Sequence, residues 1–126
     1  MVFTQVDSWA GPIATVQTLV VAPTGKILAV KVWWTGKLDW VPIQASGIPV
    51  GSALSVSVDW SNNSPYAVNG KIAATLITPS GQNITLDMGV VQRREAGMAI
   101  NSISAQVTLS EVGSYSLKAS LNLEAA

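Results

Sequence analysis

The chain has 126 residues, enough for one core and too few for a second of independent stability. Hydrophobic residues make up 48% and charged residues 11%, against about 25% charged in an average globular protein, so the composition excludes disorder and leaves little ionic surface. Seven acidic and seven basic side chains cancel to a net charge of zero, which excludes a nucleic-acid footprint and removes the repulsion that keeps copies apart.

From the N-terminus, residues 1–10 show neither a basic stretch nor a long apolar one, so no secretory signal is visible. No apolar run approaches the roughly 18 residues of a membrane-spanning helix. Trp9, after Asp7 and Ser8, is an interface candidate that no pattern orients. Residues 13–21 and 27–34 read as strands joined by Pro23-Thr24-Gly25, with Gly25 expected to supply a positive φ. If Leu28, Val30, Val32 and Trp34 face inward, Trp33 faces outward with Lys31, because adjacent strand residues point to opposite faces. Trp33 and Trp40, flanking the turn at Thr35-Gly36-Lys37, would then form an aromatic platform. Such a platform packs on its own sheet, anchors a subunit interface or stacks on a sugar ring.

Residues 36–51 are the most irregular stretch, with Pro42, Gly47, Pro49 and Gly51, and are expected to cross from one sheet to the other. The clearest alternation follows: Leu54, Val56, Val58 and Trp60 on one face, Ser55, Ser57 and Asp59 on the other. Trp60 is therefore assigned to the core. Residues 66–78 and 84–91 read as strands around a Pro79-Ser80-Gly81 hairpin, and Asn69-Gly70 as a further turn or a bulge. Arg93 and Arg94 are the one pair of adjacent like charges; two arginines are too few for a phosphate backbone, leaving a solvated loop or an intersubunit ion pair. Two more alternating runs close the chain, Ile103, Ala105, Val107 and Leu109 facing inward, then Tyr115, Leu117, Ala119, Leu121 and Leu123.

The chain has no cysteine and no histidine. This excludes disulfides, thiolate nucleophiles and any Ser-His-Asp or Cys-His machinery. The carboxylates Asp7, Asp39, Asp59, Asp87, Glu95, Glu111 and Glu124 are scattered without calcium-loop or paired-acid spacing. Neither an enzyme nor a cofactor nor a metal site is expected.

Seven to nine short strands with polar turns and no helical period indicate one all-β domain over residues 1–126, of sandwich type. The run Leu109-Ser110-Glu111-Val112-Gly113-Ser114-Tyr115-Ser116-Leu117 resembles the tyrosine corner of immunoglobulin-like domains, with Leu117 where antibody domains have cysteine. Residues 51–64, a strand ending in Trp60 and an Asn-rich turn, resemble the opening of bacterial immunoglobulin-like adhesion modules of the CARDB kind. The resemblance covers about residues 50–124 and implies an antiparallel immunoglobulin-like sandwich. In that family the tyrosine-corner strand is the penultimate one, whereas here the sequence stops after it. Either residues 12–45 fill the vacant edge, which fold economy favours, or a strand of another subunit does.

These features point to a non-enzymatic assembly module acting through protein contacts, with itself or with a viral or filament lattice. Most concretely it would be a virion component: a capsid decoration, coat or tail-associated protein. The alternatives are a carbohydrate-binding or adhesion module using exposed tryptophans, and a strand-exchanging subunit of a surface filament. Its place would be a virion or an extracellular assembly, most simply as a homo-oligomer.

Overall fold

The computed structural model describes residues 22–126 in full and, before them, the backbone of two short strands, β1 (Val2–Gln5) and β2 (Thr15–Thr18). These pair antiparallel with each other, Val2 opposite Thr18. The remaining strands are β3 (Gly25–Trp34), β4 (Val41–Pro42), β5 (Ala53–Asn62), β6 (Val68–Ile77), β7 (Asn83–Leu86), β8 (Gln92–Arg94), β9 (Ala99–Ile103), β10 (Val107–Thr108) and β11 (Ser116–Ala125). No helix occurs among the described residues. The protein is all-β, with two antiparallel sheets whose inner faces share one core, as in a β-sandwich.

In the first sheet β5 is central, flanked by β3 and β4 on one side and by β9 and β10 on the other. In the second, β6 is central, with β11 along one edge and β7 and β8 end to end along the other. The core lies between β5 and β6. Leu54, Val56, Val58 and Trp60 meet Val68, Ile72, Ala74 and Leu76 there, and Trp60 is 0% exposed. Gly70 lies within β6, opposite Leu123, so Asn69-Gly70 is neither turn nor bulge. A Cβ at Gly70 would collide with the Trp60 ring, and the close approach of the two sheets is what demands glycine there.

Several sequence expectations are corrected by the pairing. Residues 36–51 do not cross between sheets: β4 folds back on β3, and the chain then enters β5, the next strand of the same sheet. Leu28 is half exposed because the β3–β5 register slips between Ile27 and Ala29, leaving Leu28 as the extra residue of a bulge. Ile27, Val30, Val32 and Trp34 keep the inward phase. Gly25 has no positive φ. It opens β3 opposite Asn62, where a Cβ would stand 2.6 Å from Leu123 Cδ1. Gly81, at φ 90°, does close the β6–β7 hairpin, with its N–H donated to Thr78 O (2.9 Å).

The expected alternation over residues 103–109 is broken by a second bulge. Ile103 pairs Ser57, whereas Val107 pairs Leu54, so the line of strands gains one residue between them. Before the bulge the inward side chains are Ile100, Ser102 and Ser104; after it they are Val107 and Leu109. Ile103 is half exposed and Ala105 is exposed as well. The reason is hydrogen bonding. Ser104 N–H donates to Val56 O (2.8 Å), and the Ser104 hydroxyl, in place of a carbonyl, accepts the Val56 N–H (2.8 Å).

The strand expected over residues 84–91 stops at Leu86, where Asp87 Oδ1 accepts the Gly89 N–H (3.0 Å) and Gly89 turns at φ 82°. Arg93 and Arg94 belong to β8 and not to a loop, opposite Asn69 and Val68. The N-terminal part of the run thought to fill the vacant edge is split between β2, paired to β1, and β3 and β4 beside β5. Among the described residues nothing pairs with the outer edge of β11.

Candidate functional site

The two long sides of the sandwich are built differently. Along the side of β7–β8 and β9–β10 the sheets are tied by polar contacts. Ala105 N–H donates to Asp87 O (2.8 Å), and the Ser102 hydroxyl donates to Gln92 Oε1 (2.9 Å) while lying 3.4 Å from Trp60 Nε1. Asn62, 0% exposed at the end of β5, adds a clamp at one corner. Its Nδ2 donates to Tyr66 O (2.8 Å) and Arg94 O (3.1 Å), and its Oδ1 accepts the Ser64 N–H (2.9 Å).

The side between β3–β4 and β11 is open. Tyr115, Leu117, Ala119, Leu121 and Leu123 point toward the core yet stay half-buried, because among the described residues no strand pairs with the outer side of β11. Near the tyrosine corner this side widens into a cleft of about 510 Å³, with Val32, Ile43, Ile48, Leu76, Tyr115 and Leu117 among its walls. At the far end a second depression lies between Pro23, Gly25 and Ile27 on one sheet and Ala119, Leu121 and Leu123 on the other. Val50 and Val112, both more than half exposed, stand at the rim of the first cleft. The row is apolar and continuous along the open side.

Tyr115 holds the turn before β11. Its hydroxyl donates to Glu111 O (3.0 Å) and accepts the Glu111 N–H (2.9 Å). The Glu111 carboxylate in turn accepts the Ser80 N–H (3.0 Å) from the β6–β7 hairpin. Hydrogen bonds from the Ser80 and Thr78 side chains hold the Glu111 carboxyl below the usual glutamate range. Gly113, at φ 133°, packs where a Cβ would meet Pro79 (2.8 Å). The corner therefore fixes the direction in which β11 leaves the turn.

The tryptophans separate. Trp34 is buried, with Lys37 Nζ 4.9 Å above its ring. Trp33 is half-buried and donates its Nε1–H to Lys37 O (2.7 Å), which locks the β3–β4 turn. Trp40 follows on the other limb of that turn, 37% exposed. Trp9 lies outside the described residues. Arg93 is exposed and pairs with Glu95 of the same chain. Arg94 is half-buried, with its Nε enclosed and unpartnered. Among the described residues no three acidic side chains gather into a metal site.

Sequence reasoning missed Ser102, Ser104 and Asn62 as structural polar groups. Ser102 and Ser104 share a face with Ile100 at period 2, a signal that the longer apolar run after them masked. Comparison with known proteins returns no matching family, no similar curated protein and no similar solved structure.

Proposed function

We propose that the chain is a non-enzymatic assembly module of immunoglobulin-like topology, working through protein–protein contacts and most concretely as a virion component. The observation that carries this reading is the ten-residue edge strand β11, unpaired on its outer side among the described residues and backed by a half-buried apolar row. A long edge of this kind is a template for another chain unless something covers it. In the immunoglobulin-like scheme β3, β5 and β9–β10 take the places of strands A, B and E, and β7, β6 and β11 those of C′, C and F. Among the described residues, no strand lies beside F in this scheme. A net charge of zero and few ionic side chains favour close association of like copies.

Virion component and filament subunit share this chemistry. The exposed Trp40 ring beside the Trp33 turn supports a second reading, in which the module binds a carbohydrate by stacking. Light scattering coupled to size exclusion over a concentration series tests the main reading. A defined oligomer is expected. A monomer throughout, together with Trp40-dependent retention on a glycan matrix, would replace it with the second.

A further inference from the structure

We infer that β11 pairs with β11 of a second copy, antiparallel about a two-fold axis through Leu121, joining the two β6–β11 sheets into one. The inference rests on the assembly reading above and names its partner and register.

Hydrogen-bond parity comes first. Ala126 N–H donates to Ala67 O (3.1 Å), continuing by one step the β11–β6 register that ends at Ala125 opposite Val68. Backbone polar groups alternate sides along a strand. Even-numbered residues of β11 therefore bond to β6, and Leu117, Ala119, Leu121, Leu123 and Ala125 direct their N–H and C=O groups to the free edge. A two-fold through Leu121 sets odd residues against odd: Leu121 opposite itself, Ala119 opposite Leu123, Leu117 opposite Ala125. Each is a hydrogen-bonded pair, about ten main-chain bonds in all. The apolar row of each copy then continues in that of the other.

Charge selects this register among those that parity allows. Lys118 and Glu124 project outward on β11, opposite Thr75 and Asn69 of β6, and neither has an ionic partner within 4.0 Å among the described residues. Pairing about Leu121 sets Lys118 opposite Glu124 of the second copy, twice by symmetry, in non-hydrogen-bonded pairs where side chains come closest. An axis through Ser120 places Lys118 opposite Asn122, and one through Asn122 places it opposite Ala126. Neither matches the charges.

The absence of cysteine makes the register directly testable by disulfide trapping. Ser120 and Asn122 are exposed, so cysteine at either leaves the core intact. In the proposed register Ser120 of one copy faces Asn122 of the other at roughly 4.5 Å between Cα atoms, within disulfide reach, whereas Ser120 and its own copy lie on a diagonal at about 7–8 Å. A mixture of Ser120→Cys and Asn122→Cys chains is expected to cross-link as a mixed dimer under mild oxidation, and each variant alone far less. Lys118→Glu should weaken the dimer about tenfold at low salt and Glu124→Lys should do the same, with the double reversal restoring it. Equal cross-linking by Ser120→Cys alone overturns the register. An oligomer that forms no cross-link and ignores the charge variants overturns the edge pairing while leaving the assembly reading standing, and a wild-type monomer at all concentrations overturns both.

Discussion

Replacing Asn62 by leucine tests whether the corner at the end of β5 is held by the three hydrogen bonds of one side chain. Asn62 is fully buried, and leucine has nearly its shape, so the change removes bonds with little change in volume. Three backbone groups lose their partner: Ser64 N–H, Tyr66 O and Arg94 O. Ser64 is itself buried, so its N–H is stranded at a cost of about 1–3 kcal/mol. The two carbonyls sit on half-buried residues and recover part of their loss from water, at about 0.5–1 kcal/mol each. The added methyl groups return about 1 kcal/mol of burial. The expected net loss is about 1–4 kcal/mol, or about 4–15 °C in Tm for a chain of this size. Urea unfolding followed by tryptophan fluorescence measures it, with the m-value required to stay constant. A loss below about 0.5 kcal/mol would refute the claim that the corner depends on this side chain.

Ser104→Ala keeps the backbone bulge but removes the acceptor of the buried Val56 N–H, so a loss of about 1–3 kcal/mol in urea unfolding is expected, against under about 0.5 for the exposed Ser110→Ala. Glu111 has its carboxyl lowered by hydrogen bonds from Ser80 and Thr78. Its contribution to stability is thus complete above the ordinary glutamate pKa and is lost as pH falls through the lowered folded value. A carbon-detected NMR titration should place its midpoint below the ordinary glutamate value, and Glu111→Gln should flatten the acid limb of the stability curve; an ordinary midpoint would remove the contact from the account of the corner.

Strand identity was legible where side-chain volume and alternation agree. The run from Leu54 to Trp60 and the run from Leu117 to Leu123 face as their pattern says, because the bulges beside β5 put their extra residues in its neighbours and leave the phase of β5 intact, and β11 pairs with β6 in unbroken register. Phase was lost at bulges. The apolar residues 103, 105, 107 and 109 are spaced at 2, yet only the last two face the core, since Ser104 spends its hydroxyl on Val56 N–H and the chain takes one extra residue to recover. Nothing in the residue types signals that exchange. Leu28 was misplaced for the same reason. The glycines mislead in another way: Gly25 and Gly70 look like turn residues but serve cross-sheet proximity, which depends on the partners Leu123 and Trp60, distant in sequence. Of the candidate interface residues, Arg93 pairs with Glu95 and Trp33 bonds Lys37 O, local contacts that residue types alone do not reveal. The open side of the sandwich was not legible: the vacant edge raised by the tyrosine-corner resemblance was expected to be filled by residues 12–45, and whether an edge is paired depends on where other strands go.

That open side has a physical logic in how the sequence treats its edges. The outer edges at β4, β7–β8 and β9–β10 are made of pieces of two to five residues, interrupted by bulges or turns, which blunts them as templates. β3 carries β4 only at Lys31 and Val32, and the bulge at Leu28 breaks the rest of its outer edge; β11 is the longest edge without a break, ten residues in unbroken register with β6 and neither proline nor bulge. Lys118 alone would be the usual guard of such an edge, a charge that makes pairing with a like strand costly. Glu124, six residues on and on the same face, reverses its meaning. A strand that bears one charge of each sign, placed symmetrically about a leucine, repels arbitrary partners and out-of-register copies while matching its own antiparallel image. The same two side chains thereby restrict the edge and specify its occupant.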